Sequence, residues 1–520
     1  MQVRAGMLPV DAAVRFAAAP ALTTERGTET FAALDATANL VASGLSVHGL
    51  RPGDRVGVLS YNRAEVVHAW LGTERAGMVR VVLHSHFDMA AHVALLRFVG
   101  ARAMLFDTGF TDAVAAHLHE LAGMLLIAIG EGPPEWAVPW TQVLASGSPE
   151  AAPLDVHEDA PAFIQPTTGT TGNPKPWIVS HRSWAAVIAQ NLHHLDTFAP
   201  GLSAVGPDDV VLHAHALQWA SGFQLLYPYL VRGARTVLLD DSTFEPDRLV
   251  RTIVDEGVTG LLLPAPMLTP VLDLIEREGP IPHRLRRLVV FFATPELLQR
   301  TTKLLGPVWC HGFGSTEQGA VTTRLRADEA AEDPRRLSSV GRPASPFFEV
   351  AVVDDKGNRV PPGQLGEIVV RSAMSSSCYW GMPERTRRAF LPGDWFRPDD
   401  VGYLDHEGFL YYVDRAVDSI RTTAGTVYPH VVEAAVLRHS AVANCGVVGP
   451  GGDRVVAAVV LKSGAADGPE LRAEIARCAE AGLAPHERPE IVVVDDLPCV
   501  LGGAKVQRAV LRERLIGAGV

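Results

Sequence analysis

The stretch TTGTTGNPKP occupies residues 167–176 and comes shortly after Ala-Phe-Ile at 162–164, an apolar run typical of a short strand. Glycines let backbone N–H groups turn toward a ligand, threonines add hydroxyl donors, and Lys175 adds a positive charge. We interpret the stretch as a loop that closes over phosphate; the alternative is an ordinary turn rich in threonine and glycine. It is not a Walker A loop, because no Gly-Lys-Ser/Thr follows its glycines at the required spacing.

The composition is that of an ordinary globular protein. The chain has 520 residues, of which 47% are hydrophobic and 20% charged, and this length predicts roughly two to four domains. A net charge of −12 gives no electrostatic basis for binding nucleic acid. The five cysteines include no CxxC pair, so we expect neither a disulfide framework nor a zinc site. We also expect no signal peptide and a cytoplasmic location.

One long apolar segment must be weighed as a membrane span. Residues 210–231 contain no Asp, Glu, Lys or Arg and approach the length that crosses a bilayer. However, His213, His215, Gln218 and Pro228 lie within the segment. This polar content favours a buried core element beside a pocket, so we expect no membrane span.

Helical and strand patterns alternate over the first 300 residues. Apolar residues recur at helical spacing over 31–49, and a second helix is predicted over 63–76 with Asn62 as its N-cap. The predicted strands are 55–59, 79–83, 103–106, 124–127, 210–213, 236–239, 260–263 and 287–292. Such alternation predicts an α/β fold built on parallel sheets.

A second candidate site is Gly312-Phe313-Gly314-Ser315-Thr316-Glu317, which follows the apolar pair Val308-Trp309. Glycines, hydroxyls and a carboxylate are thus predicted where a strand ends, which is where open α/β sheets bind ligands. The alternative is a capped turn in which Ser315 or Thr316 starts a helix.

Beyond Phe348 the pattern changes to short strands, predicted at 348–353, 366–370 and 409–413. Four charged residues flank these strands, namely Asp399, Asp400, Asp414 and Arg415. They form either a solvated surface network or a group that binds a ribose beside a hinge.

The last hundred residues alternate again and predict a compact α+β unit. Its tail carries Lys505 after two glycines, either as a solvated lysine or as one delivered into a cleft.

Taken in this order, the motifs resemble those of the adenylate-forming superfamily, which includes acyl- and aryl-CoA synthetases, carrier-protein adenylation domains and luciferases. The resemblance runs from about Thr30 to Arg512. Residues 168–175 resemble the phosphate loop of the family, 313–317 its aromatic-Gly-x-Thr-Glu motif, and 400–403 its ribose-binding aspartate followed by Gly-Tyr. Lys505 is the best match to the lysine of the mobile domain.

The resemblance implies a fold of two parts. Residues 1–415 would form a large domain of stacked α/β sheets with a small β-rich subdomain, and residues 416–520 a small mobile α+β domain. A hinge would lie near 415–418, although Val417 and Ala424 depart from the residues usual there. Pro176 and the Gly-Gly-Ala-Lys tail depart from the family pattern as well.

The resemblance also implies a reaction, in which a carboxylate attacks the α-phosphorus of ATP and the acyl group then passes to a thiol. The cofactors and co-substrates would be ATP, Mg²⁺ and coenzyme A or a phosphopantetheine thiol. The residues implied to hold the β- and γ-phosphates are Thr167, Thr168, Gly169, Thr170, Thr171 and Lys175. Phe313 would stack on adenine, Thr316 would contact the α-phosphate and Glu317 would ligate Mg²⁺. Asp400 would bind the ribose with help from Arg415, and Lys505 would neutralise charge in the transition state.

The implied acid pocket differs from that of relatives. Phe291-Phe292 stands where relatives commonly have two glycines, and Trp219 where many have a histidine. With His215 and Gly312, these residues suggest a short pocket walled by aromatic rings; the alternative is that one or both phenylalanines point into the core. Residues 215–224 contain no aspartate that could bind an α-amine, so an aryl or short acyl acid is favoured over an amino acid.

Two alternatives remain open at this point. The acyl acceptor could be an acyl carrier protein or an amine instead of coenzyme A, or nitrite could be the activated acid. A protein that binds nucleotide without catalysis is the alternative from another class.

We do not interpret the histidine pairs as a metal site, because no carboxylate or cysteine lies at suitable spacing. The sequence predicts no particular oligomeric state.

Overall fold

The computed structural model describes residues 5–150, 156–167, 175–319, 321–372, 377–500 and 505–518. These residues form two compact units. The first unit comprises the described residues up to 167, together with 175–349 and 371–396, and the second comprises 350–370 and the described residues from 397 onward.

The described residues up to 150 alternate between strands and helices. The strands are β1 (Pro20–Thr24), β2 (Gly27–Thr30), β3 (Arg55–Leu59), β4 (Val79–Leu83), β5 (Ala103–Asp107), β6 (Leu125–Ile129) and β7 (Val138–Pro139). The helices are α1 (Val10–Arg15), α2 (Phe31–Val47), α3 (Ala64–Arg75), α4 (Met89–Phe98), α5 (Thr111–Ala115) and α6 (Trp140–Ser146).

The alternation continues through the middle of the chain. The strands are β8 (Pro161–Thr167), β9 (Lys175–Ser180), β10 (Val210–His213), β11 (Arg235–Leu238), β12 (Gly260–Pro264), β13 (Arg287–Phe291), β14 (Trp309–Phe313), β15 (Thr323–Arg326), β16 (Arg342–Pro343), β17 (Glu349–Val353), β18 (Gly366–Arg371), β19 (Cys378–Tyr379), β20 (Phe390–Leu391) and β21 (Trp395–Phe396). The helices are α7 (His181–Asp196), α8 (Ala220–Val231), α9 (Pro246–Asp255), α10 (Ala265–Glu278), α11 (Pro295–Leu305), α12 (Ala327–Glu332) and α13 (Pro383–Arg388).

The C-terminal elements are shorter. The strands are β22 (Asp400–Leu404), β23 (Leu410–Arg415), β24 (Ile420–Thr422), β25 (Gly425–Val427), β26 (Val442–Val448), β27 (Val456–Leu461), β28 (Glu490–Val493), β29 (Cys499–Val500) and β30 (Lys505–Val506). The helices are α14 (Pro429–Val436), α15 (Pro469–Glu480) and α16 (Arg508–Gly517).

Two sheets, each parallel at its centre, form the first unit. Nine described strands make one sheet in the order β16-β15-β14-β13-β12-β10-β11-β1-β2, and the run from β14 to β1 is parallel. Eight described strands make the other in the order β19-β9-β8-β4-β3-β5-β6-β7, with β9 and β19 antiparallel at one edge. Helices supply the crossovers that parallel neighbours need. The predicted α/β fold is confirmed. The eight strands predicted between residues 55 and 292 lie within two residues of those observed, and the run at 162–164 belongs to the longer strand Pro161–Thr167.

The second unit is smaller and more antiparallel. Strand β17 pairs with β18, and β18, β22 and β23 pair antiparallel in that order. Further along the chain, β26 pairs antiparallel with β27, which pairs parallel with β28. Helices α14 and α15 pack on this sheet around Val432, Val436 and Ile475, whereas Leu511 and Leu515 of α16 pack against Val448 and Val456. These contacts confirm the predicted α+β character.

Two local predictions from the sequence have different outcomes. Asn62 does not cap α3, because Arg63 precedes the helix without a side-chain cap and the Asn62 side chain bonds instead to a distant loop, described below. The apolar segment 210–231 divides into β10 and α8. Among the described residues, no helix is both long enough and apolar enough to cross a bilayer.

A buried ion pair lies in the core of the first unit. Arg80 of β4 and Glu74 of α3 approach to 3.2 Å with side chains that are 0% exposed. The Arg80 guanidinium lies 4.3 Å from the ring centroid of Trp70 and 4.6 Å from that of Phe163. Tyr227 of α8 donates a 2.9 Å hydrogen bond to the other oxygen of Glu74. The pair and its neighbours therefore connect β4, α3 and α8 by polar contacts within the apolar core.

We predict that Arg80→Met destabilises the protein by about 3–5 kcal/mol, because it leaves the Glu74 carboxylate buried without its partner. Urea unfolding followed by circular dichroism measures the change. Arg80→Met combined with Glu74→Gln should be more stable than Arg80→Met alone, since glutamine keeps an acceptor for Tyr227 without the charge. A double variant that is less stable than Arg80→Met would contradict this account.

Candidate active site

The first candidate motif lies at the tip of the β8–β9 hairpin. Thr167 ends β8, Lys175 begins β9, and the two residues are paired across the hairpin. Residues 168–174, and with them Thr168, Gly169, Thr170 and Thr171, lie outside the described residues. Pro176 pairs with Pro166 inside the hairpin, and its carbonyl accepts a 2.8 Å hydrogen bond from the backbone of Trp380. Pro176 is therefore part of the strand.

The second motif follows β14, as the sequence predicts. The strand ends with Gly312 and Phe313, and Phe313 is 9% exposed. A turn follows over 315–319, in which the Gln318 and Gly319 backbone N–H groups donate to the Ser315 carbonyl at 3.2 Å. The Gln318 side-chain oxygen accepts from the Ser315 backbone at 3.0 Å and from the Thr322 hydroxyl at 2.7 Å. The motif thus forms a turn held by Gln318, a residue that sequence reasoning missed, and not the start of a helix.

Glu317 is oriented by a tyrosine from another strand. The Tyr379 hydroxyl donates a 2.9 Å hydrogen bond to one carboxylate oxygen of Glu317. Tyr379 is 5% exposed, and burial together with the Glu317 charge raises its pKa well above the ordinary value, so the hydroxyl keeps its proton. The Arg385 guanidinium lies 5.0 Å from the ring centroid of Tyr379. Tyr379 pairs with Trp177, two residues beyond Lys175, and so links Glu317 to the β8–β9 hairpin.

The Glu317 carboxylate fits a Mg²⁺ ion that arrives with nucleotide. Such ions prefer oxygen ligands, keep several waters and are held by one or two carboxylates together with substrate phosphates. The Tyr379 hydroxyl bonds to one carboxylate oxygen and helps to orient the group. The described residues contain no cluster of three or more His, Cys, Asp or Glu side chains that could hold a metal ion.

Phe291 packs on the glycine of the neighbouring strand. A methyl group at Gly312 would come within 3.3 Å of two ring carbons of Phe291 and within 3.2 Å of a Val321 methyl. Phe291 also contacts the buried apolar cluster of this sheet, which includes Val289 and Cys310. Its ring therefore rests against the core at the end of β13, as the alternative interpretation of this residue proposed.

Phe292 differs from Phe291 in its backbone conformation and in the exposure of its side chain. Its φ is +60°, in the left-handed region, and its side chain is 55% exposed. A residue with a Cβ is less stable in this region by roughly 1 kcal/mol, whereas glycine carries no such cost. The Phe292 ring centroid lies 6.2 Å from that of Phe291. Its ring points away from the core, where a ligand can contact it.

Trp219 lies before α8 in an aromatic cluster. Its indole stacks on His84 with centroids 4.2 Å apart, and it meets the Phe87 ring edge to face at 5.8 Å. Burial lowers the pKa of His84 to about 3, so its ring is neutral. Gln165 donates to the Gln218 carbonyl at 3.1 Å beside this cluster. Sequence reasoning missed His84 as a neighbour of Trp219, because the two residues are brought together only by the fold.

His215 lies in the loop between β10 and α8 and is fixed by local and distant contacts. Its Nε2 lies 3.0 Å from the Ser221 hydroxyl, and burial lowers its pKa to about 4. The Asn62 side chain donates to the His215 carbonyl at 2.9 Å and accepts from the Leu217 backbone at 2.8 Å. The Asn62 backbone donates to the buried carboxylate of Asp241 at 2.6 Å. Asn62 thereby ties the loop after β3 to the loops after β10 and β11.

The remaining predicted residues belong to the second unit. Asp400 begins β22, is 8% exposed and pairs with Arg415 across β22 and β23. Arg415 Nε lies 3.5 Å from the Asp400 carboxylate, and Arg415 Nη2 donates to the Pro398 carbonyl at 3.1 Å. Lys505 begins β30, where its backbone pairs with Val500; its side chain is outside the described part of the chain. The structure thus brings Asp400 and Arg415 together.

The chain matches two families over most of its length. The family described as AMP-binding enzyme covers residues 10–380, and the AMP-binding enzyme C-terminal domain covers residues 431–500. A medium/long-chain-fatty-acid–CoA ligase of Mycobacterium tuberculosis is 30% identical over 492 residues, which are 91% of this chain and 83% of the relative.

Solved structures agree with these matches. An anthranilate CoA ligase bound to anthranoyl-AMP superposes with a TM-score of 0.89 at 24% identity, over 100% of this chain and 99% of the other, which shows the fold. A benzoate CoA ligase from Burkholderia xenovorans superposes with a TM-score of 0.84 at 26% identity, over 98% of this chain and 99% of the other. The resemblance and the fold predicted from the sequence are confirmed. The chain belongs to the AMP-binding enzymes, the adenylate-forming superfamily whose motifs it carries.

Proposed function

We propose that this enzyme is an ATP- and Mg²⁺-dependent ligase that adenylates an aryl or short acyl acid and passes the acyl group to the thiol of coenzyme A. The observation that supports it best is the Glu317–Tyr379 hydrogen bond, which orients a carboxylate beside the strand that follows the phosphate loop. The relatives named above are acid–CoA ligases, and this supports the choice of acceptor.

In the first half-reaction, an oxygen of the acid forms a bond to the α-phosphorus of ATP. The bond between that phosphorus and the oxygen bridging to the β-phosphate breaks, and pyrophosphate leaves with the electron pair. This transfer requires positioning and charge stabilisation more than covalent participation by the protein. In the second half-reaction, the thiol attacks the carbonyl carbon of the acyl-adenylate and AMP leaves.

The roles proposed for the first unit rest on the resemblance to the family, and the positions of its described residues are compatible with them. The β- and γ-phosphates are bound by Thr167, Thr168, Gly169, Thr170, Thr171 and Lys175. Thr316 contacts the α-phosphate, and Glu317 holds Mg²⁺, which neutralises phosphate charge when bound. Phe313 stacks on adenine.

The roles proposed for the second unit concern the ribose and the transition state. The buried Asp400 carboxylate accepts from both ribose hydroxyls and is held in place by Arg415. Lys505 neutralises the charge that develops between the acid and the α-phosphate. We propose a hinge near residues 415–418 between domains 1–415 and 416–520. The Val417 side chain in this turn is 52% exposed.

The acid pocket is proposed to be short and aromatic. The Trp219 indole, stacked on the buried and neutral ring of His84, forms one wall, and the exposed ring of Phe292 forms a second wall. Planar acids suit such walls, because aromatic rings interact best when offset-stacked or edge to face. His215 contributes a neutral polar group.

The cysteines are free, which supports the reducing cytoplasm as the place of action.

We predict that the wild-type enzyme releases pyrophosphate from ATP when it is supplied with an aryl or short acyl acid. Lys505→Ala should lower the rate of this release by about 100-fold or more, because removal of a group that stabilises transition-state charge has an effect of this size. A pyrophosphate-release assay over a panel of aryl, short acyl and amino acids and nitrite measures both. Coenzyme A, an acyl carrier protein and an amine, offered in turn, identify the acceptor. No release with any acid would favour the nucleotide-binding alternative.

We predict that Phe292→Gly widens the acid pocket and removes the left-handed strain. The ratio of kcat/KM for a bulkier aryl acid to that for the best wild-type acid should rise about tenfold, a typical effect of a change in pocket volume. Phe347→Gly is the matched control, since Phe347 is 58% exposed and lies outside the proposed pocket. An unchanged acid preference in Phe292→Gly would contradict the role of this ring.

We predict that Tyr379→Phe raises the Mg²⁺ concentration needed for half-maximal ATP binding by about tenfold, because removing the partner of a metal-binding carboxylate typically costs that much in affinity. Nucleotide binding followed by isothermal titration calorimetry across Mg²⁺ concentrations measures the shift. Tyr411→Phe is the control, since the Tyr411 hydroxyl makes a 3.4 Å contact with Asp405 away from the proposed metal ligand. An unshifted Mg²⁺ dependence would show that Tyr379 does not orient Glu317 toward the ion.

A further inference from the structure

Arg508 forms a buried charged cluster three residues beyond Lys505. Its Nη2 donates to both carboxylate oxygens of Glu433 at 2.9 and 2.8 Å, and its Nη1 donates to Asp418 at 3.3 Å. The three side chains are 13%, 9% and 7% exposed for Arg508, Glu433 and Asp418. Glu433 lies on α14, and Asp418 ends the single turn that follows β23. One guanidinium therefore joins the start of α16 to two separate parts of the second unit.

The carboxylates around Arg508 are themselves held by backbone groups. The Glu433 carboxylate accepts from the Val447 backbone at 2.9 Å. The carboxylate of Asp414, the last residue but one of β23, accepts from the backbone of His430 at 2.6 Å, in the first turn of α14. Burial lowers the pKa of Arg508, but the charges of Glu433, Asp414 and Asp418 more than offset this and hold it above its ordinary value. The guanidinium stays charged, and a buried charge that lost these partners would be costly.

The backbone of Lys505 depends on the same region. Strand β30 pairs with β29, so that Lys505 lies opposite Val500 and Val506 lies opposite Cys499. The Gln507 backbone donates to the Pro498 carbonyl at 2.7 Å, and α16 begins at the next residue. A strand of only two residues constrains the direction of the chain weakly. The contacts of Arg508, the first residue of α16, therefore determine the direction in which the backbone runs at Lys505.

We propose that Arg508 is a positioning residue for Lys505: by tying the lysine segment to α14 and to the turn at 416–418, it sets where the lysine is presented during adenylation. The proposal rests on the role proposed above for Lys505. We assign Arg508 no part in the thioester-forming step, because the role proposed for Lys505 is confined to adenylation. A purely structural role would instead weaken both half-reactions together.

The experiment measures the half-reactions separately in the full-length protein. Pyrophosphate release from ATP and the acid reports adenylation, and transfer from a preformed acyl-adenylate to coenzyme A reports the second step. Arg508→Gln should slow adenylation about 100-fold, as expected when a reacting group is misplaced by about 1 Å, and leave the transfer step unchanged. Arg508→Lys should fall between, because one ammonium nitrogen cannot contact both Glu433 and Asp418 as the two Nη atoms of arginine do.

Arg514→Gln is the matched control. Arg514 lies on the same helix and pairs with Asp496 at the surface, where the side chains are 52% and 77% exposed. This variant should adenylate at the wild-type rate. Hydrogen exchange of the 496–507 peptide gives a readout apart from activity, and we expect faster exchange in Arg508→Gln than in Arg514→Gln.

The outcomes separate this proposal from the proposed function. A wild-type enzyme that releases no pyrophosphate with any acid would overturn the proposed function, whatever the exchange rates. With an active wild type, equal losses in both half-reactions of Arg508→Gln, or unchanged adenylation, would overturn the positioning role. Exchange in the 496–507 peptide that is the same in both variants would also overturn it.

Discussion

Asn62 ties together the carboxyl edges of the two parallel sheets of the first unit, beside other contacts such as that of Gln165 with Gln218. Its side chain donates to the His215 carbonyl and accepts from the Leu217 backbone, and its own backbone donates to Asp241. Parallel strands end at one edge of a sheet, and loops at that edge are where such folds bind ligands. By holding the loop after β3 against loops of the other sheet, Asn62 fixes the relative position of the two edges.

The candidate residues of the first unit come from these edges. Thr167 ends β8, Phe291 and Phe292 lie at the end of β13, and Gly312 and Phe313 end β14. The surroundings set the charge or the orientation of several side chains at these edges. Burial keeps His84 and His215 neutral, and Tyr379 orients Glu317. The left-handed backbone turns the ring of Phe292 outward. A side chain at position 312 would crowd the Phe291 ring, because its Cβ would lie 3.3 Å from two ring carbons.

Much of this arrangement could be predicted from the sequence because its signals are local. Apolar runs that end in glycine, threonine or acid, as at 162–171 and 308–317, predict both the strands and the places where functional groups lie. The contacts that orient those groups could not be predicted in this way. Asn62 suits a helix cap by local criteria, but its partners are more than 150 residues away. Likewise, the stacking of Trp219 on His84, the bond from Tyr379 to Glu317 and the anchoring of Arg508 depend on long-range packing. The two phenylalanines are adjacent and identical in type, so the different directions of their rings follow from the backbone conformation alone.

The central claim is that the acid is activated as an acyl-adenylate, and oxygen labelling tests it most directly. The acid that supports the fastest turnover is prepared with ¹⁸O in its carboxylate, and the nucleotide product is analysed by mass spectrometry after turnover with coenzyme A. Attack on the α-phosphorus predicts that AMP is the nucleotide product and that it carries one ¹⁸O atom from the acid. Formation of ADP, with the label in inorganic phosphate, would show attack on the γ-phosphorus and would contradict the account.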